Sequence, residues 1–240
     1  MIVVNFEAAA VGLLGALDRL VGEGLEITCV GPASVGEVAA ALEPYGGRAR
    51  YVQGSVDRGV DAFAEVLAGP VQVTEASSLI VLPRRGAQEV DATSRLTCAA
   101  VRRACGVMKG PAVVVAIEDP EASFEFAGLG VATVFYPGFL RAALFAHACI
   151  DLAVYHFILG LLRGRFRVRV MPIPAELRGG NFRAATLAIE RGEGGRPVTL
   201  IGVYEGAGAG AGMRLNPGPG FPLAEVACLV AIGDEGGARG

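Results

Sequence analysis

Over about its first 135 residues the chain alternates short, mainly apolar runs with stretches of helical periodicity, and few architectures accept that order. The runs are Ile2–Val4, Ile27–Val30, Ala49–Val52, Ser78–Leu82, Val113–Ile117 and Thr133–Phe135, all of strand length. Between them Val11, Leu14, Leu17 and Leu20 recur at helical spacing within Ala8–Leu20, with Gly24 ending the helix. Val35–Leu42, Val60–Leu67 and Ala92–Ala104 read as further helices. Strands without a polar face must be covered on both sides, and helices between them supply the cover. The pattern predicts an α/β fold whose first lobe is a Rossmann-like, doubly wound parallel sheet.

Beyond that lobe the pattern changes. Residues 139–162 predict one long helix, with Phe139, Leu140, Leu144, Phe145, Leu152, Tyr155, Phe157 and Leu159 encircling it. An apolar surface on all sides needs cover on several sides, which predicts dimerisation. Arg141, His147, Asp151 and His156 interrupt the segment and argue against a membrane span. His147 and Asp151, four apart, predict a buried hydrogen bond; with Cys149 they fall short of the four ligands of a structural zinc site. An arginine-rich join (Arg163, Arg165, Arg167, Arg169) then leads to a strand at Val168–Met171 and a break at Pro172–Pro174. A helix near Asn181–Glu190 and strands at Val198–Val203 and Ala227–Ile232 complete a small α+β lobe. Gly206–Gly212, which has no lysine and opens no helix, reads as a hairpin loop, as does the turn-rich Asn216–Gly220. The expected division is 1–137, a linking helix over 138–166, and 167–240.

Charge and composition exclude several functions. The balance is 21 basic against 24 acidic side chains, a net −3, so no field for nucleic-acid phosphates or an anionic membrane is expected. Hydrophobic residues reach 52% against 19% charged, the balance of a packed protein and not a disordered one. Lys109 is the sole lysine and sits in a Met-Lys-Gly-Pro turn, which removes a Walker A loop and a Schiff-base lysine. The five cysteines show no C-x-x-C, and no signal peptide is evident, so free thiols in a reducing cytoplasm are expected.

Several stretches together resemble the RCK family, the regulators of potassium conductance in ligand-gated channels and Trk/Ktr uptake systems. They are Tyr51–Ser55, Ala76–Leu82 with Asp91-Ala-Thr and Arg102-Arg103, Val113–Asp119, Ala127–Val134, Val170–Pro174, Arg178–Phe182, Leu200–Val203 and Asn216-Pro217. The resemblance spans nearly the whole chain through individually soft motifs. It implies a nucleotide-binding-like N-lobe (TrkA-N), a crossover helix exchanged between two protomers and a small C-lobe (TrkA-C). It further implies a non-catalytic, ligand-binding regulatory unit that pairs with itself, with four pairs forming a gating ring that pulls on a membrane-embedded pore. The chain is then a separate cytoplasmic regulatory subunit or the soluble part of a longer channel. A nucleotide-dependent Rossmann oxidoreductase and a ligand-binding module not coupled to a channel are the alternatives.

Two candidate sites follow. The loop after the first strand reads Asn5-Phe6-Glu7-Ala8-Ala9-Ala10, where a dinucleotide needs small residues, and Phe6 and Glu7 would crowd and repel phosphate. Gly31-Pro32-Ala33-Ser34 stands where the ribose-binding acid is expected, so NAD is not anticipated, and Glu7 is expected to cap or charge the first helix. The second site is acidic: Asp91, Glu118 and Asp119 fall at the carboxyl edge of neighbouring strands. The resemblance implies a calcium-like divalent cation there, with Asp91 and Glu118 on two ligand positions and Ala116 where a third is expected. Glu89, Asp119, carbonyls and water would have to complete it. Helix capping by Asp91 and Asp119, the latter followed by Pro120, is the plainer alternative.

Overall fold

The computed structural model describes residues 1–21, 24–107, 110–190, 198–205 and 212–234. Lys109 and the glycine–alanine stretch 206–211 lie outside them. The chain divides into two compact units, Met1–Ile150 and Asp151–Gly240.

The first unit carries β1 (Ile2–Val4), α1 (Val11–Val21), β2 (Ile27–Gly31), α2 (Val35–Leu42), β3 (Ala49–Gln53) and α3 (Val60–Ala68). There follow β4 (Ser78–Val81), α4 (Val90–Cys105), β5 (Ala112–Ala116), β6 (Val131–Phe135) and α5 (Pro137–Ile150). All six strands are parallel, in the order β3-β2-β1-β4-β5-β6. That is the doubly wound order, with its switch point between β1 and β4. Alternation along the strands sorts the core: Ile2 and Val4 pack with Phe63, Leu67, Cys98 and Val101 of α3 and α4. Val3 turns the other way, to Leu14, Val38 and Leu42 of α1 and α2. Covering both faces explains why these strands carry few polar residues.

Gly31 is where close packing leaves least room. A Cβ there would lie 2.1 Å from the Phe6 carbonyl oxygen, which is backbone and cannot swing aside. Gly31→Ala is therefore expected to destabilise the unit by about 3 kcal/mol or more, the upper range for overpacking, read as a lowered urea midpoint.

The second unit contains α6 (Leu152–Leu162), β7 (Phe166–Pro172), α7 (Phe182–Glu190), β8 (Val198–Glu205), β9 (Met213–Leu215) and β10 (Val226–Asp234). Its sheet is antiparallel, in the order β7-β10-β8-β9. Ile173, Phe182, Ala185, Leu200, Val203, Leu223 and Leu229 form a separate core. β9 was not foreseen, because Arg214 interrupts its three residues and all of them are exposed, so they form no apolar run.

Residues 139–162 are two helices and not one. α5 stops at Ile150, Asp151 adopts extended backbone (φ −144°, ψ 94°), and its carboxylate accepts from the N–H groups of Ala153 and Val154. Aspartate serves better as an N-cap than within a helix, and here it starts α6. The expected His147–Asp151 bond gives way to that cap, with His147 exposed. No residue of α5 is buried; Phe139 and Phe145 are each 68% exposed and Ile150 is 85% exposed.

Candidate functional site

In a doubly wound sheet ligands meet the carboxyl ends of the strands. Three groups of side chains occupy that edge here.

The first lies after β1. Asn5 takes a left-handed conformation (φ 59°), and its side-chain amide donates to the Leu82 carbonyl at 2.9 Å, bridging the ends of β1 and β4 at the switch point. Phe6 follows, fully buried among Val3, Leu14, Cys29 and Val38, with its N–H donating to the Val30 carbonyl at 2.9 Å. Phosphate binding at such a turn needs open space and free N–H groups. Phe6 sends its side chain into the core, and its own N–H is spent on Val30. A 3-10 turn at Ala8–Ala10 precedes α1, and Glu7, at its head, makes no side-chain cap bond, contrary to the expected capping role. At the end of β2 the nearest acidic residue is Glu37. Its carboxylate accepts from the Ser34 N–H and hydroxyl, which hold the Glu37 carboxyl below its usual range. These residues do not fit a dinucleotide.

The second group is the acidic edge. Asp91 is the second residue of α4 and does not cap it; Glu89 holds that position. The Asp91 carboxylate reaches the end of β5, where Oδ1 accepts from the Glu118 N–H at 2.9 Å and Oδ2 from the Asp119 N–H at 2.8 Å. Asp119 does cap, as the capping alternative predicts, accepting from the Glu121 N–H at 2.9 Å ahead of a turn with Pro120 at its start. Asp91 thus latches α4 to the turn after β5. Among the described residues no three His, Cys, Asp or Glu side chains converge as metal ligands. Each Asp91 oxygen thus spends one of its lone pairs on a backbone N–H. Asp91→Ala is expected to lower the thermal stability of the ligand-free protein by about 1–2 kcal/mol, with calcium leaving wild type and variant alike unmoved. A calcium-dependent rise in the wild-type melting temperature that vanishes in Asp91→Ala, with ligand-free stability unchanged, would instead establish the cation role.

The third group was not foreseen. Arg84, just beyond β4, donates through Nη1 to the Ser55 hydroxyl at 3.2 Å and forms an ion pair with Asp57, both beyond β3. Its hydrogen bond holds the Asp57 carboxyl below its ordinary 3.8, against a smaller opposing effect of burial. Since β1 and β2 lie between β4 and β3 in the sheet, Arg84 straps across the ends of two strands. A pocket of about 360 Å³ opens beside it, lined by Ser55 and Asp57 with Pro32, Gln53, Arg58 and Phe63. The signal in the sequence was an arginine three residues past the strand that flanks the switch point, legible only once strand order is known.

All five cysteines are free. Burial pushes the Cys29 and Cys98 thiols up to about 12, so neither is a nucleophile. No helix among the described residues is long and apolar enough to cross a membrane.

No family model matches the sequence, and no curated protein matches it significantly. Solved structures do. The human SLO3 gating ring superposes on 99% of this chain with a TM-score of 0.71 at 16% identity. This chain spans 48% of that one, about half its length. The GsuK RCK domain aligns over 93% of the chain at 20% identity, and the GsuK channel bound to NAD over 91% at 18%. The chain spans 48% and 38% of these, and their TM-scores of 0.35 give them no weight. The SLO3 superposition shows the fold: a Rossmann-like lobe followed by a smaller α+β lobe.

Proposed function

We propose that the chain is a non-catalytic, ligand-sensing regulatory domain of RCK type, acting on a potassium channel or transporter. One observation carries this reading: nearly the whole chain follows the fold of a gating ring. The turn after β1, with Glu7 at the head of the 3-10 turn and the Phe6 N–H engaged by Val30, speaks against the alternative of a nucleotide-dependent oxidoreductase.

In this reading 1–137 is the sensing lobe, 138–166 the crossover and dimerisation segment, and 167–240 the C-lobe. The partner is a second copy, docked on the exposed apolar residues of α5 and α6, which include Phe139, Phe145, Ile150 and Leu152. Pairs assemble into an octameric ring at the cytoplasmic face of a membrane-embedded pore. A ligand that binds one ring geometry more tightly shifts the population toward it, and that difference in binding free energy is what works the pore.

Potassium flux tests the reading. The chain is added to liposomes holding the membrane subunit with which it co-purifies from detergent-solubilised membranes. A flux that changes on addition supports channel coupling. A flux indifferent to the chain, or the lack of any membrane partner, leaves the uncoupled ligand-binding module. NAD released on denaturing the purified protein would favour the oxidoreductase.

A further inference from the structure

Two residues of the pocket wall beyond β3, Ser55 and Asp57, are held by Arg84, which itself stands outside the lining. Among the described residues Arg84 uses only Nη1, on Ser55 and Asp57, so Nε and Nη2 of the same guanidinium have no protein acceptor. An arginine fork meets a carboxylate best with two parallel N–H···O bonds, and the Asp57 pair supplies one. The two partners also differ in exposure: the Arg84 side chain is 21% exposed and that of Asp57 53%, so the anion is the partner within reach of solvent.

The pocket beside them matches that arrangement in size and lining. At about 360 Å³ it falls in the range of small-molecule sites. Pro32, Ala62, Phe63 and Val66 give it apolar walls, and Arg58 adds a second cation. Gln53 donates one amide N–H to the Pro32 carbonyl at 3.2 Å, which leaves the second N–H of that amide as a donor for a carboxylate. Gly54 keeps the wall close, since a Cβ there would sit 3.0 Å from Val66 and 3.1 Å from Phe63.

We infer that this pocket binds a small organic acid, whose apolar body lies against Pro32, Phe63 and Val66 and whose carboxylate displaces Asp57 from Arg84. Asp57 is an internal stand-in for the ligand's anion. The inference is independent of coupling to a channel, because it concerns binding alone. It also differs from the dinucleotide reading, which needs the turn after β1.

The test titrates the full chain with sodium hexanoate and, separately, with 1-hexanol and inorganic phosphate, following amide shifts at Gln53, Ser55 and Asp57 by NMR. Saturable shifts with hexanoate are expected, with hexanol and phosphate each at least about tenfold weaker, as loss of a charged hydrogen bond or of the apolar contact requires. Arg84→Gln should weaken hexanoate by about tenfold or more. Asp57→Asn, which removes the competitor and leaves Arg84 in place, should tighten it about two- to fivefold, the worth of a half-exposed ion pair. That gain cannot arise from damaged folding. The inference is overturned by hexanol or phosphate binding as well as hexanoate, by unchanged affinity in Arg84→Gln, or by no saturable binding to Asp57→Asn.

Discussion

Phe6→Ala is expected to lower the stability of the first unit by about 3–5 kcal/mol, the usual cost of emptying a buried phenylalanine site. Phe6 is fully buried and packs with Val3, Leu14, Ile27 and Val38, so its removal opens a cavity between the sheet and α1 and α2. Urea unfolding followed by far-ultraviolet circular dichroism reads the loss as a lower midpoint. The same variant is expected to gain no affinity for NAD. Truncation frees volume, but the N–H of residue 6 still donates to the Val30 carbonyl and Glu7 still stands at the head of the 3-10 turn. A variant of near wild-type stability that carried NAD through gel filtration would show that the side chain is a removable plug in an intact phosphate turn.

Phe145→Lys combined with Ile150→Lys is expected to dissociate the dimer. Both side chains are mostly exposed within the chain, so the substitutions cost its own fold little. Cations near the C-terminus of α5 also suit the helix dipole, which keeps the helix intact. Where two copies bury these positions, each introduced charge loses its water, and central apolar anchors are commonly worth 2 kcal/mol or more, about thirtyfold in dissociation constant apiece. Sedimentation velocity over a concentration series reads the change. A wild type that stays monomeric, or a double variant that dimerises as before, removes α5 from the interface.

Strand positions in the first unit were legible because strands buried on both faces must be apolar, and their lengths stand out against helical spacing. Ile2–Val4 and Val35–Leu42 coincide with the elements expected there, and other boundaries move by a few residues. The break at Asp151 was missed because apolar periodicity runs through it, whereas the cap depends on backbone conformation. At the acidic edge the sequence put Asp91, Glu118 and Asp119 together but was silent on what each carboxylate would accept. Backbone N–H groups 27 and 28 residues away took both oxygens of Asp91.

What the sequence determined by itself was the alternation that produces a doubly wound sheet and the apolar surfaces of α5 and α6. These are local properties, set by side-chain size, charge and period. Only the tertiary structure decided that Arg84 straps the ends of β3 and β4, that Asp57 holds just part of its guanidinium, and that a pocket lies beside them. Those facts depend on strand order, since β3 and β4 are separated by β2 and β1 in the sheet, and no period in a linear chain encodes which strands lie between two others.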